Sequence, residues 1–253
     1  MNLRGFSTLL RKELLRFWKV SFQTLLAPLV STLLYLLVFA QVMSGRAEIY
    51  PGVSYREFLV PGLAMMAMLQ NSFSNTSSSM IQSKVTGNIV FILLTPLSPL
   101  EIFAAYVLAA VARGAAVGTC VWLVSLWFFP RWPAHPVELL LFVLAGNLLA
   151  AVLGLIAGIW AEKFDQLAAF QNFLIVPLTF LAGVFYSIHS LPPFWRDLSR
   201  FNPFLYMIDG FRHGFFGLSD VAPAESLLIV GASAFALSCV ALVLLSRGWR
   251  LRH

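Results

Sequence analysis

The sequence predicts an all-α membrane protein with six transmembrane helices, an N-terminal amphipathic interfacial helix, and an outer re-entrant helical segment between spans five and six. Three observations lead there. The 253 residues are 59% hydrophobic and only 11% charged, whereas a soluble domain averages about 25% charged residues. Several apolar runs reach the roughly 20 residues that a spanning helix needs. The cations gather beside those runs rather than within them, as at a membrane boundary.

Residues 4–19 place Phe6, Leu9, Leu10, Leu14, Phe17 and Trp18 on one helical face and Arg4, Arg11, Lys12, Arg16 and Lys19 on the other. Such a helix lies on the cytoplasmic leaflet with its cations toward lipid phosphates or a partner. The first span is expected over about 22–43, with a kink-prone Pro28. A short outer loop follows, with Gly45, Pro51 and Gly52. The second span, about 57–80, is apolar from Phe58 to Leu69 and then runs through Gln70, Asn71, Ser72, Ser74, Asn75, Thr76, Ser77, Ser78 and Ser79. Unpaired amides are costly in hydrocarbon, so this half faces protein, water or a path through the membrane. Hydroxyls bonding back to their own helix are the plainer alternative.

The connection 81–100 is cytoplasmic, and its apolar stretch 89–94 is too short to span. The third span is expected over about 101–129, ending in the interface aromatics Trp127, Phe128 and Phe129. The fourth (about 137–161) and fifth (about 167–188) are joined by a tight inner loop, and the sixth covers about 225–246. The long outer connection 189–224 is too aromatic for a solvated loop. It reads as two short helices dipping into the outer leaflet, restarted where Asn202 caps and Pro203 takes the first helical position. Ten Lys/Arg fall on the inner side, from Arg4 to Arg252, and six on the outer, from Arg46 to Arg212. That bias puts both ends in the cytoplasm and makes 1–253 a single transmembrane domain.

The net charge of +6 does not indicate nucleic acid, because the cations flank apolar runs instead of forming a basic stripe. Cys120 and Cys239 sit alone within apolar runs, which gives no metal or redox motif. The first apolar run is too long for a cleavable signal peptide. No GxxxxGK[ST], HExxH or GxSxG occurs, and His135, His189, His213 and His253 are scattered. Arg113 is the one basic residue well inside a span. An arginine there faces the bundle interior and a partner by default, either an amide such as Asn71 or Asn147, a carbonyl, or substrate. Reaching along its helix to the cytoplasmic leaflet is the alternative. Gly114/Gly118 and Gly154/Gly158 let the third and fourth spans pack closely.

Three stretches together resemble one family. LLTPLSPLEIFAAYVLAAVARG (93–114) is similar to its Thr-Pro-Leu-Ser turn into the third span. FQNFLIVPLTFLAGVFYSIHSLPPFW (170–195) resembles its Pro-then-Gly fifth span and Leu-Pro outer turn. FNPFLYMIDGFRHGFFG (201–217) resembles its Asn-Pro…Asp-Gly-Phe-Arg segment. The family is the ABC-2 type membrane subunits of bacterial ATP-binding-cassette exporters, and the likeness covers essentially the whole chain. It implies an inner-membrane permease that pairs with a second copy, as a homodimer or pseudo-symmetric pair, on two separate ATPase subunits. ATP and Mg would sit on those subunits, with no cofactor on this chain. The resemblance implies ATPase contacts at Arg11, Glu13, Gln82, Lys84 and Asn88. Asn71, Asn75, Ser78, Arg113, Phe173 and Val176 would line the substrate path. The outer segment marked by Pro192, Asn202, Pro203, Asp209 and Arg212 would cap it. Expected cargo is amphiphilic, lipid-linked or drug-like. An ATP-independent channel or ion-coupled carrier is the alternative, against which stands the scarcity of ionisable residues in the spans.

Overall fold

The computed structural model describes residues 2–42, 49–127 and 130–251. Gly45, Arg46, Phe128, Phe129, Arg252 and His253, which carry parts of the loop, aromatic-belt, charge and histidine expectations, lie outside them. The chain folds as helices α1 (Leu3–Lys19), α2 (Ser21–Val42), α3 (Tyr55–Val85), α4 (Asn88–Leu94), α5 (Pro99–Ser125) and α6 (Pro136–Trp160), followed by α7 (Phe164–Phe170), α8 (Val176–Phe180), α9 (Pro193–Arg200), α10 (Pro203–Phe216) and α11 (Pro223–Arg247). Among the described residues no β-strand forms beyond an isolated bridge between Tyr50 and Val53. Among the described residues four helices are long and apolar enough to cross a membrane: α2 over Ser21–Phe39, α5, α6 and α11.

Local sequence sets the helix starts. Ser54 and Ser98 each accept a bond from the backbone N–H three residues on, while Glu57 and Glu101 bond back to the cap, closing two capping boxes. Pro99, Pro136, Pro193, Pro203 and Pro223 occupy first turns, where the missing N–H costs nothing. Pro28 stays within α2, which continues through it. The Asn202 side chain accepts from the Phe204 N–H and donates to the Leu178 carbonyl at 2.7 Å, so one amide starts α10 and ties it to α8.

α3 is the central post. From Phe58 to Leu69 it is buried on every side, and α5, α6 and α10 pack around it. The tightest crossing is with α6. A Cβ on Gly154 would lie 2.2 Å from the Phe73 carbonyl oxygen, so only glycine allows this approach. α2 and α11 border the bundle with large exposed apolar faces, including Phe22, Leu34 and Leu37 on α2 and Leu228 and Phe235 on α11. α1 runs beneath α5, with Leu9 buried among Ile102, Phe103 and Tyr106.

The expected fifth span is shorter than drawn and interrupted. Helix begins at Phe164, widens into a π-turn over Gln171–Ile175 and stops at Phe180, not 188. Pro177 explains the wide turn, because it has no N–H for the Phe173 carbonyl and its ring crowds that position. Gly183, at φ +75°, then turns the chain in a conformation that L side chains rarely adopt. α3 is longer than expected at both ends, and α5 stops at Ser125 rather than 129.

Candidate functional site

The polar half of α3 splits into two sides. One side is spent on packing. Ser72 donates to Asn147 Oδ1 at 2.6 Å and to the Ala110 carbonyl, Thr76 donates to the Ala151 carbonyl at 2.7 Å, and Ser77 donates to the Phe73 carbonyl. These residues are buried, and their hydroxyls join α3 to α5 and α6 or close on α3 itself. The other side, with Gln70, Asn71, Ser74 and Ser78, opens into a groove of about 650 Å³ between α2, α3, α5 and the α7–α8 segment. Met66, Pro28, Tyr35, Val176 and Phe180 form its apolar wall.

Arg113 enters this groove from the middle of α5. Its two terminal nitrogens donate to Asn75 Oδ1 at 3.3 Å and Asn71 Oδ1 at 3.2 Å. An amide partner was expected; Asn71 supplies one, whereas Asn147 is committed to Ser72, Met68 and the Val143 carbonyl. Asn75 also receives a second arginine. Arg16 of α1 donates to the Asn75 carbonyl at 2.7 Å, to its Oδ1 at 3.0 Å, and to Ser78 Oγ at 3.3 Å. Two guanidinium groups from helices far apart in sequence therefore share one amide oxygen. Val176 lines the groove as well. Phe173 does not: it is 83% exposed on the π-turn.

Arg16 departs from the amphipathic pattern, which put it with the lipid-facing cations. The cause is Glu13. Its carboxylate is fully buried, accepts from Ser79 Oγ at 2.6 Å, and lies 3.0 Å from Lys12 and 3.4 Å from Arg16. Glu13 thus sits inside this chain rather than on a surface open to a partner. Of the other residues expected at the ATPase, Arg11, Gln82 and Asn88 are exposed. Lys84 is half-buried and donates to the carbonyls of Ile159 and Ala161, capping the C-terminal end of α6. Beside them, Val85, Phe91 and Leu94 form an exposed apolar patch around α4.

At the opposite end of the bundle, α9 and α10 cover the stretch for which an outer segment was expected. Pro192 is exposed, while Asn202, Asp209 and Arg212 are buried. Asp209 accepts the backbone N–H groups of Asp220 and Val221, both at 2.9 Å. Asp220 accepts from Ser187 Oγ, the Ile188 N–H and Tyr50 Oη, each at 2.8 Å. Burial pushes the Tyr50 phenol well above its usual range, which keeps it a neutral donor. The Arg212 guanidinium lies 3.7 Å from the Phe58 ring centre and donates to the Gly183 carbonyl at 2.8 Å. These side chains close the turns around 183–188 and 217–221; they pin backbone. Two of the scattered histidines also meet here: His135 and His213 stack 5.3 Å apart, and His213 Nδ1 lies 2.7 Å from Glu138. Among the described residues no group of three or more His, Cys, Asp or Glu could hold a metal ion.

Residues 4–216 match the family described as ABC-2 type transporter. The chain is 39% identical over 241 residues to the inner membrane transport permease YadH of Escherichia coli K12, covering 94% of each. It is 26% identical over 238 residues to nodulation protein J of Rhizobium meliloti, covering 92% of this chain and 87% of that one. This membrane protein belongs to the ABC-2 type transporter family.

Proposed function

We propose that the chain is the membrane-spanning permease of an ATP-driven exporter, with ATP hydrolysed on a separate subunit. In this reading the chain crosses the bacterial inner membrane six times. α3 and the interrupted α7–α8 segment add two crossings to the four apolar helices, and both ends face the cytoplasm. α1 lies along the cytoplasmic interface, and α9–α10 dip into the outer leaflet as a cap. The inner-membrane assignment draws on YadH, a transport permease of that membrane.

The observation that carries the reading is the groove. A slot with polar side chains along one wall, set beside the central helix, is costly in hydrocarbon unless it forms part of a path or meets another chain. A second permease copy would close it, so that the two grooves enclose one conduit for an amphiphilic cargo. Asn71, Asn75, Ser78, Arg113 and Val176 would face that conduit, with Phe173 at the seam between copies. The exposed patch around α4, together with Arg11, Gln82, Lys84 and Asn88, is the surface assigned to two ATPase copies; Glu13 braces it from within.

The test is partnership. The isolated chain should hydrolyse no ATP, and co-expression with its cognate ABC ATPase should give a stable complex of two permeases and two ATPases. Cysteines at Asn88 should crosslink to the ATPase. Nucleotide turnover by the purified chain alone, or labelling of Asn88→Cys from the outer side of intact cells, would overturn the assignment.

A further inference from the structure

Arg113 stands about 21 Å along α5, fourteen residues from its start, and the oxygens it holds belong to neutral amides. Its Nε is buried and without a hydrogen-bond partner among the described residues. Arg16 has a carboxylate beside it, but Glu13 divides that charge among Arg16, Lys12 and Ser79. The groove lining itself contains two arginines and no acid. Two cations sharing one amide oxygen in a weakly polar setting repel each other and call for an anion. Guanidinium forks bind the oxygens of phosphate and carboxylate in pairs, which suits them to that task. Next to this cationic end the wall turns apolar, with Met66, Pro28, Val176 and Phe180.

We infer that the groove binds an anionic amphiphile, its phosphate held by Arg16 and Arg113 and its acyl chain laid against the wall formed by α2 and α8. This rests on the permease reading and specifies the chemistry its path would take. Asn71 and Asn75 act as positioning residues: they hold the Arg113 fork and release it when phosphate oxygens arrive. Because Arg16 comes from α1, the bound anion bridges the interfacial helix and the α5 span.

The purified chain in neutral detergent is titrated with dioleoyl phosphatidylglycerol, phosphatidylcholine of the same chains, and inorganic phosphate, with bound lipid read by native mass spectrometry. Phosphatidylglycerol should be retained in preference to phosphatidylcholine. Arg113→Gln and Arg16→Gln should each lower that preference at least about tenfold, the worth of one charge-assisted hydrogen bond. Arg113→Lys should keep part of it. An equal preference in the wild type and both Gln variants would overturn the inference, placing the lipid on ordinary surface cations. Inorganic phosphate displacing the lipid at equal concentration would also overturn it, since the tail would then add nothing. Against misfolding of a variant, Ser74→Cys in a C120S/C239S background gives a second reading. Phosphatidylglycerol should shield that cysteine from a maleimide and phosphatidylcholine should not; equal labelling counts against the site. Neither measurement includes the ATPase. If the chain forms its ATPase complex yet shows no anion preference, this inference alone fails; if no complex forms, the permease reading fails.

Discussion

Glu13 offers the sharpest quantitative test of how α1 is fixed. Its carboxylate is fully buried and Ser79 is 2% exposed, so the 2.6 Å bond between them is sealed from solvent. A hydrogen bond to a charged group is worth about 1.5–3 kcal/mol. The Lys12 and Arg16 side chains are 47% and 25% exposed, so solvent screening limits each ion pair to about 0.2–1 kcal/mol. Glu13→Gln keeps the shape and an acceptor but removes the charge, and should cost about 1–3 kcal/mol. Glu13→Ala also leaves the Ser79 hydroxyl without an acceptor, which adds about 1–3 kcal/mol. A double-mutant cycle with Ser79→Ala isolates the pair, and its coupling should be about 1.5–3 kcal/mol. Denaturant unfolding of the detergent-solubilised chain measures it, and the rate of tryptic cleavage after exposed Lys19 reports whether α1 comes loose. A coupling below about 0.5 kcal/mol would refute the claim that this bond holds α1 to α3.

Gly154→Leu should force α3 and α6 apart, because its Cβ alone would meet the Phe73 carbonyl oxygen at 2.2 Å. A loss of at least about 1–3 kcal/mol and a lower folded yield in fluorescence-detected gel filtration are expected, whereas Gly231→Leu, with open space around it, should stay within about 0.5 kcal/mol of the parent. Asp209→Asn exchanges a charged acceptor of two backbone N–H groups for a neutral one, so the thermal midpoint should fall with a cost of about 1–3 kcal/mol. Lys84→Met removes the donor to the Ile159 and Ala161 carbonyls and should speed backbone hydrogen exchange at the end of α6. Pro177→Ala restores an N–H at the π-turn, and hydrogen exchange over 171–177 should slow as the turn closes into regular helix.

The start of α10 was readable because its cause is local: Asn202 directly precedes Pro203, so that cap could be placed from adjacent letters. Ser98 and Glu101, three residues apart, carry an equally local signal for α5, which the sequence reading passed over. Helix ends were less readable. The interruption at 171–180 depends on one missing N–H at Pro177 and on Gly183 leaving helix geometry, neither of which disturbs the apolar composition that marks a span. The same limit applies to α3. Its hydroxyls were visible as a run, but which of them bond to α5 and α6 and which open to the groove depends on the packed neighbours.

The arginine pair shows where pattern reading stops. Periodicity assigns Arg16 to the polar face of α1, and that face is polar, but not uniformly solvated. Glu13 lies three residues earlier, an i,i+3 spacing that allows an ion pair within the helix. The lone acid of α1 falls not among the five cations but with Leu9, Phe6 and Phe17 on the apolar face, and that was the available signal, since burying it requires a donor from another helix. Ser79 is that donor, 66 positions away, and once it seats Glu13 the next turn carries Arg16 onto Asn75 and Ser78. Arg113 was conspicuous by itself because a span rarely holds an arginine. That it shares Asn75 with Arg16 follows from the third dimension alone: α1 packs against α5, with Leu9 in the same apolar cluster as Tyr106. The packing of an apolar residue therefore sets the position of a charge, and the groove acquires two cations where composition had placed one.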